Sequence, residues 1–164
     1  MRLSENILSN LKKPKFTLKP DVILSPGGPK TGYEITVEDR IITNVGPAQS
    51  SDSLALTGYA IVPGFIDAHT HAGQTFGKSL IGGEPSQIWK RIWNPMEAAL
   101  TPDTAYISAK WMFLEAMRGG YTCLVNFSTN QRDLNSAVHR AAGETGIRLV
   151  SSSCLLYTSP SPRD

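Results

Sequence analysis

The sequence predicts an α/β protein whose N-terminal part is rich in strands and whose C-terminal part alternates strands with helices. From residue 61 onward the predicted order is strand, helix, strand, helix, strand, and each crossover is about as long as a helix. This alternation favours a parallel sheet. Between residues 20 and 60, short apolar runs alternate with turn residues, which indicates a meander of short strands.

The first sixty residues divide into an arm and a set of strands. Residues 1–19 are expected to form a weakly structured arm with a short amphipathic turn at Ile7–Leu11. The predicted strands are Asp21–Leu24, Tyr33–Val37 and Ile41–Gly46. Pro26–Pro29 is a strong turn signal, Glu38–Arg40 turns the chain back, and Ser50–Ser53 is a polar linker. We therefore expect the first domain to span residues 20–60.

The second part contains three predicted strands and two predicted helices. The strands are Ile61–His71, which Pro63 and Gly64 interrupt, Tyr121–Phe127 and Ile147–Val150. A cap at Thr101 with Pro102 predicts a helix that runs to Arg118, and Asp133 is expected to cap a helix that ends before Gly146. The loop Ala72–Ala99 is long enough to suggest a functional role.

Two histidines at the end of the first of these strands are the most informative residues. Side chains alternate between faces along a strand, so His69 and His71 point the same way, with Asp67 on the same face one step earlier. Two neutral imidazoles on one face make half of a site for a divalent metal. The spacing alone leaves a plainer alternative open, in which both are polar residues at a strand end.

Three segments resemble the amidohydrolase superfamily, in its aminohydrolase and chlorohydrolase branch. Val62–His71 resembles the first-strand signature of that family, Ala72–Leu80 the loop that follows it, and Glu115–Asn126 the passage from the first helix to the second strand. The resemblance implies a truncated (β/α)8 barrel: residues 61–153 would supply about three of its strands, preceded by part of a small β-sandwich. The family usually has Asp-Gly at the meander turn, where this chain has Arg40 after Asp39.

The resemblance also implies a chemistry. His69 and His71 would bind one divalent ion, zinc or iron, and a metal-bound hydroxide would hydrolyse a carbon–nitrogen bond. The expected reaction is deamination of a small heterocycle: a purine, pyrimidine, pterin or triazine-like ring. A cyclic amidase of the hydantoinase or dihydroorotase type is the alternative. The other ligands and the general acid or base are expected in later strands, so this stretch alone should be an inactive remnant.

The resemblance and the aromatic pattern add candidate substrate contacts. Gln74 stands where purine aminohydrolases carry a glutamine that touches the base, and Trp89 and Trp93 are candidates to line the pocket. Because Trp89, Ile92 and Trp93 have helical spacing, one or two helical turns are expected there. Asp67 could orient a histidine ring, cap a turn or pair with a neighbouring strand. His139, beside Arg140, is interpreted as a surface or packing residue.

Composition excludes several other classes. A net charge of +2 is too small to indicate nucleic-acid binding, and neither a leader nor a membrane span is expected, which predicts a cytoplasmic protein. The full-length protein is expected to be a homo-oligomer. The last eleven residues, 154–164, match the translation of a transposase-type sequencing adapter codon by codon. We interpret this tail as an artefact that has no part in the fold.

Overall fold

The computed structural model describes residues 3–78, 80, 87–128 and 131–153. The chain divides into two compact units, Met1–Pro63 and Gly64–Asp164. The adapter-like tail 154–164 and residues 81–86 of the long loop lie outside the described residues. Among the described residues, no helix combines the length and apolar character that crossing a membrane would require.

The first unit is a helical turn followed by one five-stranded sheet. Its elements are α1 (Glu5–Asn10), β1 (Lys15–Ser25), β2 (Gly28–Lys30), β3 (Tyr33–Glu38), β4 (Ile41–Pro47) and β5 (Leu54–Ile61). The strand order is β2-β1-β3-β4, and β5 pairs in parallel with β1, whereas the other pairs are antiparallel. The predicted strands and turns of the meander are confirmed, and this unit supplies a single layer of sheet.

The predicted N-terminal arm extends too far along the chain. Strand β1 begins at Lys15, so the expected boundary at residue 19 lies inside a strand. Residues Lys15–Leu18 pair with Ile35–Glu38 of β3. This pairing makes a strand of a stretch whose own sequence did not predict one. Strand β5 was not predicted either. It gains its partner from Leu18–Ile23 of β1, which is distant in sequence.

The turn between β3 and β4 keeps a geometry that favours glycine. Asp39 has φ 49° and Arg40 has φ 69°. Positive φ at both central residues defines a type I′ hairpin, in which a residue with a Cβ is strained. Arg40, which stands where the family usually has glycine, is therefore strained in this turn.

The second unit alternates strands and helices as predicted. Its elements are β6 (Phe65–Thr70), a 3₁₀ helix (Ala72–Gly77), a π-helical turn (Trp89–Trp93), α2 (Asn94–Ala98), α3 (Pro102–Arg118), β7 (Tyr121–Ser128), α4 (Arg132–Thr145) and β8 (Arg148–Ser153). The three strands form a parallel sheet in the order β6-β7-β8. Helical turns at Trp89–Trp93 were expected from the aromatic spacing and are confirmed.

Local signals explain where the two long helices begin and end. The Thr101 hydroxyl accepts a hydrogen bond from the backbone N–H of Thr104, and the Thr104 hydroxyl accepts one from the backbone N–H of Thr101, so a capping box starts α3. Gly146 has φ 81° and ends α4 in the left-handed conformation. The expected cap at Asp133 is wrong: Gln131 is the N-cap, and Asp133 lies in the first turn, where its charge complements the helix dipole.

The core of this unit lies between the sheet and the helices α3 and α4. Phe113 and Ala109 of α3, Leu124 of β7 and Ala141 of α4 are each at most 1% exposed. The apolar run Phe65–Ile66 suggests a buried strand, but most of β6 is exposed. Phe65 and Ile66 are exposed because, within the described ranges, β6 has a strand partner on one edge only. The other end of β6 is well held, with Thr70 buried.

Candidate metal centre

His69 and His71 converge at the C-terminal end of β6. His69 lies in the strand, and His71 follows it with extended backbone, φ −133° and ψ 89°. Their Nε2 atoms are 3.0 Å apart. Two nitrogens bound tetrahedrally to one zinc ion at about 2.0–2.1 Å would lie roughly 3.3 Å apart. The two side chains therefore point to the same face of the strand, as the alternation predicted. The spacing of their Nε2 atoms fits two ligands of one divalent ion.

The ring of His71 is prepared to bind through Nε2. Its Nδ1 donates to the carbonyl of Phe127 at 3.2 Å, which leaves Nε2 as the free lone pair. Burial, and next the neighbouring His69, lower the pKa of His71, while Glu97 and the Phe127 carbonyl oppose that shift. The imidazole is thus held in the neutral form that a metal ligand needs.

Aromatic rings enclose the histidine pair on two sides. The Phe127 ring lies 4.7 Å from the His69 ring and 6.2 Å from the His71 ring, measured between centroids. The Trp89 ring approaches His71 edge-on, with centroids 6.2 Å apart. These rings limit the positions that each imidazole can adopt.

Asp67 contacts the histidine segment through the main chain. Its Oδ1 accepts a hydrogen bond from the backbone N–H of His69 at 3.1 Å. Of the roles considered for Asp67, this contact is of the kind that caps a turn.

His71 and Glu97 supply the polar groups that line a small cavity, and Gln74 binds Glu97. The Gln74 Nε2 donates to Glu97 Oε1 at 2.6 Å, and both side chains are partly buried. The cavity has a volume of about 20 Å³, room for about one water molecule, and its other walls are mostly apolar, formed by Gly73, Leu100, Ala105, Phe127, Leu134 and Val138. Glu97 was not foreseen, because a single glutamate in a five-residue helix carries no sequence signal.

The two tryptophans occupy different environments. Trp89 is 43% exposed and faces His71, as a pocket-lining residue would. Trp93 is buried and packs on the 3₁₀ helix, where a Cβ added to Gly77 would lie 2.5 Å from its ring. His139 is exposed on α4, as expected. Among the described residues, no three His, Cys, Asp or Glu side chains come together as a metal site. The candidate site in this part of the chain therefore consists of the imidazoles of His69 and His71.

Comparison with known proteins gives the same picture as the geometry. The sequence model of the amidohydrolase family matches residues 60–163, well over half of the chain. This chain belongs to the amidohydrolase family. A 5-methylthioadenosine/S-adenosylhomocysteine deaminase of Desulforamulus reducens is 30% identical over 159 residues, which cover 89% of this chain and 35% of that protein.

Solved structures similar to this amidohydrolase chain include a guanine deaminase from Bradyrhizobium japonicum, with a TM-score of 0.71 and 18% identity, covering 85% of this chain and 35% of that one. An atrazine chlorohydrolase from Arthrobacter aurescens, solved with zinc, gives a TM-score of 0.68 and 18% identity, covering 84% and 35%. These likenesses confirm the α/β fold as part of a (β/α)8 barrel preceded by a sheet domain. The chain spans about a third of the length of the proteins that it matches.

Proposed function

We propose that the protein containing this chain is a metal-dependent hydrolase that deaminates a purine-type heterocycle. The observation that carries the proposal is the 3.0 Å approach of the His69 and His71 Nε2 atoms at the C-terminal end of a parallel strand. Enzymes with barrel folds place their chemistry at that end of the strands. The family relatives named above include a deaminase of an adenosine derivative.

In this proposal His69 and His71 hold one divalent ion, zinc or iron, as neutral ligands. Such an ion, when bound, lowers the pKa of a coordinated water toward about 7 and so provides a nucleophile at neutral pH. The chain's own contribution is to fix the ligands. The Phe127 carbonyl keeps the proton of His71 on Nδ1, and the Phe127 and Trp89 rings confine the imidazoles.

Substrate contacts are proposed for the mouth of the cavity beside His71, since the cavity itself has room for about one water molecule. The Glu97 carboxylate there accepts hydrogen bonds from amino or hydroxyl donors. Because Gln74 already donates to Glu97, its Oε1 is left to accept from the substrate. Trp89 lines the entrance, whereas buried Trp93 supports the 3₁₀ helix. Asp67 fixes the His69 backbone rather than its ring.

A nucleoside is the substrate class that these polar groups suit. Its ribose hydroxyls can donate to a carboxylate such as that of Glu97. The relatives support this class by their names, which specify 5-methylthioadenosine and S-adenosylhomocysteine in one case and 5′-deoxyadenosine in another. The cytoplasmic location and the homo-oligomeric assembly of the full-length protein stay predictions.

The test is ammonia release by the full-length protein, recovered from source DNA and loaded with zinc. We expect turnover of adenosine derivatives, and none of a hydantoin, which a cyclic amidase would hydrolyse. The 164-residue chain alone should release no ammonia above a zinc-only blank. Hydantoin hydrolysis without nucleoside turnover would overturn the proposal in favour of the cyclic amidase.

A further inference from the structure

A buried polar cluster holds the residue that follows His71. The Asn126 Oδ1 accepts the backbone N–H of Ala72 at 2.7 Å. On the other side, the Ala72 carbonyl accepts the Ser108 hydroxyl at 2.7 Å and the Thr75 hydroxyl at 3.1 Å. Asn126, Ala72 and Ser108 are each 1% exposed, and Thr75 is 6% exposed. Side chains from a strand, a helix and the loop thus bind both polar groups of one backbone residue.

This cluster acts where the regular pairing of the strands fails. Along β6 and β7, Asp67 is opposite Leu124 and Thr70 is opposite Asn126, so three steps on β6 face two on β7. The irregularity covers the segment that carries His69, and the ladder resumes only at Thr70, the last residue of β6. Side-chain hydrogen bonds hold the chain at this point. The Thr70 hydroxyl donates to the Val125 carbonyl at 3.0 Å, and Asn126 accepts from the peptide N–H of Ala72.

The peptide that Asn126 binds is the one that joins His71 to Ala72. Its orientation sets the backbone angle at His71 and therefore the direction of the His71 side chain. The adjacent residue of the same strand, Phe127, holds the ring of His71 through its carbonyl. Consecutive residues of β7 thus fix His71 twice, once at its backbone and once at its ring.

We infer that Asn126 is a positioning residue of the metal centre, which it serves through the His71–Ala72 peptide. The inference rests on the proposed function, since it assumes that His71 binds a metal. A buried amide is costly unless it is hydrogen-bonded, and an apolar residue would satisfy packing at this place equally well. What the apolar residue cannot supply is an acceptor for the Ala72 N–H.

The experiment compares zinc affinity and thermal stability in the full-length protein. Asn126→Leu keeps the branched shape of the side chain and removes the acceptor, Asn126→Asp keeps an oxygen in place, and Leu124→Ala is the control, since Leu124 lies on the same strand and is equally buried. Asn126→Leu should weaken zinc binding by about 10–100-fold, as losses of groups that orient ligands do. Asn126→Asp should restore most of it. Leu124→Ala should lower the Tm by a similar amount and leave zinc affinity unchanged.

Two results separate the inference from the function on which it rests. If Asn126→Leu binds zinc as tightly as wild type while its Tm falls like that of Leu124→Ala, Asn126 is purely structural and the inference is overturned. If the wild type binds no zinc, the proposed function fails and the inference fails with it. Should Asn126→Leu not fold, Asn126→Ser, with its shorter reach, takes its place. The absorption spectrum of the cobalt(II) form should then shift for Asn126→Ser and stay unchanged for Leu124→Ala; an unchanged spectrum for Asn126→Ser would contradict the inference.

Discussion

Replacing Glu97 by Gln should reduce substrate turnover without disturbing the metal. The Glu97 carboxylate accepts from Gln74 Nε2 at 2.6 Å, a short hydrogen bond to a charged group in a partly buried place. In the proposed complex the Glu97 carboxylate also accepts a hydrogen bond from the substrate. A hydrogen bond to a charged group contributes about 1.5–3 kcal/mol, and partial exposure places this one near the lower end. A loss of about 1.5 kcal/mol corresponds to roughly a tenfold change in kcat/KM.

The assay is ammonia release from a 5′-deoxyadenosine-type nucleoside by the full-length protein, with zinc content measured in parallel. Glu97→Gln should lower kcat/KM roughly tenfold and retain the zinc, because Glu97 lies beside His71 without being one of the two donors. In a double-mutant cycle with Gln74→Ala, the two losses should be far from additive, since Glu97→Gln weakens the same hydrogen bond that Gln74→Ala removes.

Glu115→Gln is the matched control, because it makes the same chemical change on α3, where Glu115 binds Lys78 and the Trp111 ring nitrogen. It should leave kcat/KM unchanged. The reasoning is refuted if Glu97→Gln turns over substrate at the wild-type rate, if its losses add to those of Gln74→Ala, or if it loses the zinc.

Three further predictions concern the rest of the chain. Arg40→Gly should raise the free energy of unfolding by about 0.5–1 kcal/mol, because Arg40 has φ 69°; a fall on urea denaturation would contradict the strain argument. A hydrogen bond from Ser53 lowers the pKa of Glu34 below 4.5, so its stabilisation is present above that pH and is lost as the pH falls further. Glu34→Gln should therefore flatten the acid limb of stability against pH, and an unchanged limb would disprove this. Amplification of source DNA past codon 153 should not return the codons of residues 154–164, and their recovery followed by more coding sequence would show that the tail is genuine.

Regular elements with local signals could be predicted from the sequence. The capping box at Thr101, the glycine at 146 and the strict alternation around His69 and His71 act within a few residues, so the chain alone reveals them. Strand β5 and the start of β1 could not be predicted, because each depends on a partner distant in the sequence.

In the candidate site, too, residues within a short motif could be predicted, and residues placed by contacts distant in sequence could not. The histidine pair and Gln74 are visible in a short motif, and the structure brings Trp89 to them. Glu97 and Asn126 were missed. Glu97 comes within reach of Gln74 through a loop and helix between them, and Asn126 reaches Ala72 from a neighbouring strand. Neither contact leaves a periodic or spaced pattern that sequence reasoning can detect.

The central claim is that His69 and His71 together bind one catalytic metal ion. The most direct measurement is the zinc content and affinity of the full-length protein in three variants: His69→Ala, His71→Ala and His139→Ala. The first two should lose most of the bound zinc and the activity, because the remaining donors hold the ion poorly, while His139→Ala, altered at an exposed position of α4, should match the wild type. Full zinc content and turnover in His69→Ala, together with their loss in His139→Ala, would contradict this assignment of the site.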